Sequence, residues 1–439
     1  MQRRRFLTGT LRATGAATLL APAAQRALGA NDRVVVGLIG CGGRGRYVAE
    51  LMRESPGVEY AAAADVYLPN AEEARLWAGP KAQAYQDFRR LLDRKDIDAI
   101  HIATPDHWHA IITVLACHAG KDVYVEKPLS HNIREGRAMV DAARRYNRIV
   151  QAGTQHRSSP HFREVERIVQ SGALGKVNWV RVWNYVNMFP QGIGHEADSA
   201  PPEGLDWDFY LGPAPYVPFN RKRFLVTYRW FWDYSGGYIT DFGTHRFDTV
   251  HQVMGVSAPK TVVASGGRFS LRDDGEIPDV IQVTYEYPGF VLSYEACLLN
   301  GHGLGGRTPG MKYYNARGAE DRPNGMAFYG TNGALFADRI GYEIYPEPKP
   351  VRALEPTHMN TTDATRLHAA NFIECVRTRN KPAAEVEIGH RSTTVAHLGN
   401  IAFKTGKKLH WDAGTEEFRD DGEASKLLSR AARKPWDLI

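Results

Sequence analysis

The sequence predicts an α/β chain in two folded parts. Residues 31–153 read as a doubly wound parallel sheet, and residues 154–412 as an α+β part built on a large, mostly antiparallel sheet. Three observations carry this. Short apolar runs at 34–39, 58–64, 99–103, 123–126 and 149–152 alternate with helical stretches, the pattern of parallel strands buried on both faces and joined by right-handed crossovers. Beyond residue 177 strand-like runs follow one another with few helices between them, which favours antiparallel pairing. At 439 residues the chain exceeds one simple core, so two domains are expected.

Bulk composition narrows the class. With 43% apolar and 24% charged side chains the chain reads as an ordinary globular protein. Its net charge of +6 suggests a basic surface, but Arg3, Arg4, Arg5, Arg12 and Arg26 fall in the first thirty residues, where no acid stands; without them the net charge is +1. No nucleic-acid partner is therefore expected. The stretch 1–30 reads instead as an export signal. Arg3-Arg4-Arg5-Phe6-Leu7 is a twin-arginine start, Leu11 to Leu28 is mildly apolar, and small residues near Ala24 and Gly29-Ala30 offer cleavage sites. That composition is too polar for a stable membrane span. The twin-arginine route carries folded proteins, which suits a periplasmic protein that acquires its cofactor before export. Cys41, Cys117, Cys297 and Cys375 are scattered, with no Cys-x-x-Cys pair, so neither a zinc ribbon nor a thioredoxin-like site is indicated.

In the first part, Val34 to Ile39 enters Gly40-Cys41-Gly42-Gly43-Arg44-Gly45 and then a helical stretch from Arg46 to Glu54. This is Gly-x-Gly-x-x-Gly in its proper strand-to-helix setting. Gly40 makes the tight turn, Gly42 lets backbone approach a pyrophosphate and Gly45 lets helix pack on strand, while the helix N-terminus offers N–H donors to phosphates. The second strand, Val58 to Ala64, ends on Asp65, placed to hold ribose hydroxyls and to repel a 2′-phosphate, which favours NAD over NADP. A short helix at 87–94 and a strand at 99–103 lead to Thr104-Pro105-Asp106-His107-Trp108-His109. Asp106 could cap the helix running to Ala119. His107 and His109 resemble a metal pair, but no acid or thiol shares ligand spacing with them, so no metal is expected and His109 is assigned to the cofactor wall. The strand Val123 to Glu126 then ends on Glu126-Lys127-Pro128, putting Lys127 at the carboxyl edge of the sheet, where open α/β sheets bind ligands.

The glycine loop, Thr104-Pro105 and Glu126-Lys127-Pro128 together resemble the glucose-fructose oxidoreductase, inositol dehydrogenase and MocA family, over about Arg33 to Asp412. The resemblance implies a Rossmann domain. It also implies that Lys127 faces nicotinamide and substrate, that its bond to Pro128 is often cis, and that C-terminal helices return to the first domain. It makes Gly40, Gly42, Gly43, Arg44, Gly45, Asp65, Thr104, Pro105, His109, Glu126 and Lys127 the cofactor-binding set.

In the second part, a helix is expected at 160–171, strands at 177–186, 261–269, 280–287 and 290–298, and a hairpin joining 326–329 to 334–337. A glycine-rich loop spans 301–310. From Gly237 to Met254 the chain reads as one helix carrying Asp241 and His245 four apart, hence on one face, where a carboxylate would fix the tautomer of the imidazole and raise its pKa. Alone, Asp-x-x-x-His is a common surface pair; family dehydrogenases carry this motif facing the nicotinamide, which makes Lys127, Asp241 and His245 the catalytic candidates. His156 and Arg157, after the last parallel strand, and Tyr228-Arg229-Trp230, just before the Asp-His helix, are placed in the substrate cleft. Helices at 363–378 and 388–406 bring His368, His390 and His397 into packing positions, and 413–439 is a charged tail.

The expected protein is an exported, NAD-dependent oxidoreductase of a sugar, polyol or related carbohydrate, holding its nucleotide tightly and recycling it. His245 is the expected base, with Asp241 orienting it; Lys127 polarises the oxygen or acts as base itself. Two rivals stand. Some family members are NAD-dependent glycosidases that oxidise a sugar transiently; those commonly carry Tyr-x-x-His, where this chain has Phe242 three before His245. A non-catalytic NAD-binding partner protein is the other. The exposed face of an antiparallel sheet suggests a homo-oligomer.

Overall fold

The computed structural model describes residues 33–304, 308–316, 321–419 and 421–437. The expected export signal lies outside the described residues, as does part of the glycine-rich loop at 301–310. The first domain runs β1 (Val34–Ile39), α1 (Gly43–Arg53), β2 (Val58–Ala64), α2 (Leu68–Ala78), β3 (Gln83–Tyr85), α3 (Arg89–Leu92), β4 (Ala99–Ile102), α4 (Asp106–His118), β5 (Asp122–Val125), α5 (Ile133–Arg145) and β6 (Val150–Ala152). All strands pair in parallel, in the order β3-β2-β1-β4-β5-β6. The order reverses between β1 and β4, so the loops after β1 and β4 part at their carboxyl ends and leave a crevice there. Helix α2 and strand β3 were not expected. Only Ala71 and Ala74 of α2 are buried, too thin a stripe to show as periodicity, and β3 is three residues long.

The second part contains α6 (Pro160–Gln170), β7 (Val177–Tyr185), α7 (Trp207–Leu211), α8 (Thr244–Met254), β8 (Thr261–Gly267), β9 (Val280–Tyr287), β10 (Phe290–Cys297), β11 (Asn324–Gly330), β12 (Gly333–Asp338), β13 (Gly341–Pro346) and β14 (Thr357–Asn360). Then come α9 (Thr365–Thr378), α10 (Val386–Thr405), β15 (Leu409–Asp412), β16 (Glu417–Phe418) and α11 (Gly422–Lys426). The strands form a ten-stranded sheet in the order β14-β13-β12-β11-β7-β10-β9-β8-β15-β16. Its one parallel pair is β7 with β10. Alternation along β9 and β10 sends Val283, Tyr285, Leu292 and Tyr294 to one face, where Phe247 and Val250 of α8 and Val395 and Leu398 of α10 cover them. No helix among the described residues is long and apolar enough to cross a membrane.

The C-terminal elements lock the two parts together. Ala369, Phe372 and Ile373 of α9 pack with Val36, Leu38 and Val48 of the first sheet and α1. Two histidines make polar ties between the two parts: His368 Nε2 meets Ala152 O at 2.8 Å and His397 Nε2 meets Ser130 O at 3.0 Å, while His390 Nε2 meets Glu416 at 2.8 Å within the C-terminal elements. The charged tail also returns. Arg430 pairs with Glu135 at 3.0 Å and donates to the carbonyls of Asp233 and His107, and Trp436 stacks on Phe209 with ring centres 5.3 Å apart. Beneath it, residues 204–210 lie on the first domain: Leu68 N–H donates to Gly204 O at 2.9 Å, and Trp108 Nε1–H donates to Tyr210 O at 2.9 Å. This segment walls one side of the crevice.

Candidate active site

The loop after β1 is shaped for a phosphate. Gly40 has φ +87°, and a Cβ there would strike the backbone of Ala103 and Thr104 at 2.5–2.6 Å. A Cβ on Gly45 would stand 2.2 Å from Gly40 O, whereas at Gly42 and Gly43 nothing lies within 4 Å. The tight positions are thus filled by protein and the open ones face the crevice, as the roles assigned to these glycines require. Asp65 accepts the Cys41 N–H at 2.8 Å and the Tyr67 N–H at 2.9 Å, which ties the end of β2 to the glycine loop. Its burial pushes the carboxyl up, against the pull of those amides. A cleft runs from Gly40–Arg44 past Asp65, Thr104 and Pro105 to Tyr228 and Arg229. Thr104 Oγ1 and Arg44 Nη2 are buried there without hydrogen-bond partners. Loop shape, acid and orphaned donors fit a dinucleotide.

Beside this cleft the charged residues converge from four segments. Lys127 follows β5, and the Lys127–Pro128 bond is cis. Its ammonium donates to Asp241 O at 3.1 Å and forms an ion pair with Asp241 Oδ1. Arg229 takes the other carboxylate oxygen, with Nε 3.2 Å from Oδ2. Burial alone pushes the Asp241 carboxyl up, but the Lys127 and Arg229 charges outweigh it and hold it at about 2. Glu126, just before, is turned the other way and accepts Arg44 Nε–H at 2.8 Å. His109 braces this turn: its Nδ1 meets Pro128 O at 2.8 Å and its Nε2 meets Thr104 O at 2.9 Å, joining the loops after β4 and β5.

The helix bearing the Asp-His motif departs from expectation. Ile239–Gly243 is a π-helical turn, and α8 begins only at Thr244. The wider turn changes the angular offset between residues 241 and 245 from that of a regular α-helix. The Asp241 carboxylate is held by Lys127 and Arg229, and no hydrogen bond joins it to His245. His245 instead stacks on His156 with ring centres 5.1 Å apart, and its Nδ1 is buried without a partner. The expected rise in its pKa is reversed: burial first, then Lys127 and Arg339, push the imidazole well below its ordinary range, so it is neutral at neutral pH. Asp241 therefore orients Lys127 and Arg229 rather than the imidazole.

The remaining sequence candidates divide. His156 Nδ1 meets Thr249 Oγ1 at 3.1 Å, so it supports His245 from behind. Arg157 is committed to Asp248 of α8 at 2.8 Å, a fastening of the helix rather than a group free for substrate. Tyr228 donates its hydroxyl to Asp106 at 3.1 Å, and Trp230 leans on Tyr238 with centres 6.0 Å apart. Asp106 does not cap α4 with its side chain; it sits in the first turn and accepts from Ser235 and Tyr228 hydroxyls. His107 Nε2 meets Tyr210 O at 2.9 Å, so neither histidine of the apparent pair turns both nitrogens to a common centre. Sequence reading missed Arg246 and Arg339, which reach the site from α8 and from the β12–β13 turn; no local motif marks either.

A dinucleotide-shaped loop at a sheet switch point, beside a half-buried lysine–carboxylate pair and a neutral imidazole, defines a two-domain protein with a dinucleotide-binding Rossmann fold. Comparison with known proteins gives the same class. The sequence profile of the oxidoreductase family's NAD-binding Rossmann fold matches residues 34–154, and that of the family's C-terminal alpha/beta domain matches 159–286 and 339–438. The chain belongs to the GFO/IDH/MocA oxidoreductase family. It is 32% identical over 209 residues to levoglucosan dehydrogenase of Pseudarthrobacter phenanthrenivorans, covering 46% of either chain. To myo-inositol 2-dehydrogenase of Thermotoga maritima it is 23% identical over 305 residues, covering 70% of this chain and 75% of that one. Among solved structures, a levoglucosan dehydrogenase in complex with NADH and levoglucosan superposes with TM-score 0.63 at 18% identity, over 86% of this chain and 99% of that one. The match spans 65%, 46% and 44% of three curated relatives' lengths.

Proposed function

We propose that this protein is an NAD-dependent dehydrogenase of a sugar or polyol hydroxyl, with Lys127 and His245 as the groups that touch the reacting oxygen. The observation that carries the reading is the half-buried Lys127–Asp241 ion pair at the carboxyl edge of β5, next to the dinucleotide cleft and to His245. Bound nicotinamide would supply the hydride acceptor. The protein's own work is proton movement and orientation. His245, neutral at neutral pH, accepts the hydroxyl proton; its partnerless Nδ1 marks an unfilled hydrogen-bond position. The Lys127 ammonium, aimed by Asp241, polarises the same oxygen and stabilises the charge that develops on it. Arg229 holds the second oxygen of Asp241, so the carboxylate stays fixed between two cations. Asp65 at the end of β2 favours NAD over NADP, since a second negative group beside it would be repelled. The arginine-rich start and small-residue stretch at 1–30 support export to the periplasm by the twin-arginine route. A tightly held, internally recycled nucleotide would then serve where free NAD is scarce.

The test is to purify the protein, identify any nucleotide that comes with it, and supply sugars, polyols and aryl glycosides. Net formation of reduced nicotinamide from a sugar is the expected result. Aglycone release without net redox change would replace this reading with transient oxidation and cleavage. Nucleotide binding with no turnover of any class would leave a binding protein.

A further inference from the structure

Charge around the candidate active site does not close. Asp241 is matched by Lys127 and Arg229, but Arg246, one residue after His245, has no hydrogen-bond or ion-pair partner among the described residues. It is 1% exposed, its Nε and Nη1 make no hydrogen bond, and no carboxylate of the described residues comes within the 4.0 Å of an ion pair. The acid whose charge reaches it, Asp338, uses its two oxygens on the Tyr314 and Ile340 N–H groups, each at 2.8 Å. A second cation lies alongside, itself matched by an acid: Arg339 pairs through Nε with Asp363 at 3.5 Å, donates to Tyr314 OH at 2.9 Å and sits over that ring at 4.5 Å. Burial and Arg339 push the Arg246 guanidinium down to about 10, which leaves it charged at neutral pH. A buried unpaired guanidinium is strongly unfavourable in a folded chain, so its presence asks for an anion from outside.

Its place says which molecule brings that anion. The hydroxyls of Tyr238 and Tyr294 lie within electrostatic reach of both Asp241 and Arg246, and Tyr294 OH is itself buried without a partner. The orphaned atoms therefore cluster: His245 Nδ1, Tyr294 OH, and Arg246 Nε and Nη1. Arg246 directly follows His245 in α8, and its charge reaches both His245 and Tyr294. A guanidinium fork accepts a planar oxyanion through paired hydrogen bonds.

We propose that the sugar substrate carries an oxyanion, and that Arg246, with Arg339 beside it, is the residue that receives it and sets specificity. This rests on the dehydrogenase reading for the word substrate, but the anion site itself is argued from the unpaired charge alone.

The test uses the full-length protein with the nucleotide it retains. Glucose is compared with glucuronate, galactose with galacturonate, and glucose 6-phosphate serves as the phosphate arm. Reduction of nicotinamide gives kcat/KM, and thermal shift reports binding without turnover. An acid or phosphate preferred over its neutral partner by about 10²-fold or more, with that ratio collapsing in Arg246→Met and partly restored in Arg246→Lys, is the expected result; whichever arm responds names the oxyanion. Arg246→Met should also raise the ligand-free Tm, because an unpaired buried charge has gone, while losing the ligand-induced rise in Tm. A preference for the neutral sugars, or an acid preference that survives in Arg246→Met, overturns the proposal. So does an Arg246→Met protein with lower ligand-free Tm and an unchanged ligand-induced rise, the mark of a merely structural arginine. If glucuronate raises the Tm of wild type but not of Arg246→Met, and no sugar is oxidised, the anion site stands and the dehydrogenase reading falls. If neutral sugars are oxidised and no acid or phosphate binds, the reverse holds.

Discussion

The two ends of the cleft are built from different materials. At the nucleotide end the working parts are backbone: a glycine turn whose open positions, Gly42 and Gly43, face the crevice, amides at the start of α1, and one acid, Asp65, tied to the loop by the Cys41 N–H. At the chemical end they are charged side chains drawn from after β5, the 225–230 segment, the π turn and α8, and the β12–β13 turn. Backbone sites depend on local shape and tolerate changes elsewhere. Side-chain sites depend on each distant segment arriving correctly, and on charge balance. The nucleotide end should therefore respond to substitutions by graded loss of affinity, and the chemical end by loss of rate.

The largest effect is expected at the chemical end. His245→Ala should lower kcat by about 10²–10⁴-fold, the usual contribution of a positioned proton acceptor, with nucleotide affinity nearly unchanged. Because the neutral imidazole is the accepting form and its pKa lies well below the ordinary range, kcat should not fall through protonation of His245 as pH drops from about 8 to about 6.5. A stopped-flow and titration comparison of wild type and variant separates the two quantities.

A smaller change is expected at the nucleotide end. Asp65→Asn keeps an oxygen acceptor for the Cys41 N–H while removing the negative charge. It should weaken NAD by about tenfold, roughly the loss of one charge-assisted hydrogen bond, and narrow the gap between NAD and NADP. Equilibrium titration of both nucleotides checks this. An unchanged ratio would mean that Asp65 holds the loop and does not read the ribose.

How legible each end was follows from the same contrast. The Gly-x-Gly-x-x-Gly loop and Asp65 were visible because that chemistry is contiguous with a strand and a helix. The first sheet was readable too, except for β3 and α2, whose short length and two buried alanines leave no periodic signal. At the chemical end, Lys127, Asp241 and His245 were found through motif resemblance, but their pairing was misread. Spacing of four predicts a shared face only in a regular α-helix, and the π turn at Ile239–Gly243 breaks that regularity. Arg246 and Arg339 had no signal at all, since what makes them part of the site is what surrounds them in space. The tail beyond Asp412 looked featureless as sequence. Its Arg430 and Trp436 prove to be fasteners, because their partners lie on distant elements.

The most distributed effect is on stability. Burial holds His101, His107 and His251 at about 3 and His161, His368 and His397 at about 4, against an ordinary 6.5. These rings stay neutral in the fold, and take up protons only on unfolding once pH drops below about 6.5, so the unfolded state binds more protons there. Their full contribution is present above that pH and is lost as pH falls toward 4, at up to about 1.4 kcal/mol per histidine per pH unit. Denaturant midpoints between pH 7.5 and 4.5 should therefore decline from about pH 6.5 downward. A flat profile to pH 4.5 would show that these imidazoles are not buried as described.

The Lys127–Asp241 corner should do chemistry rather than merely join two domains. The most direct measurement is single-turnover hydride transfer in wild type and Lys127→Ala, with nucleotide affinity and Tm measured on the same preparations. Lys127→Ala should transfer hydride at least about 10²-fold more slowly, with nucleotide still bound and the fold intact. Hydride transfer at the wild-type rate in that variant would contradict a chemical role for this corner.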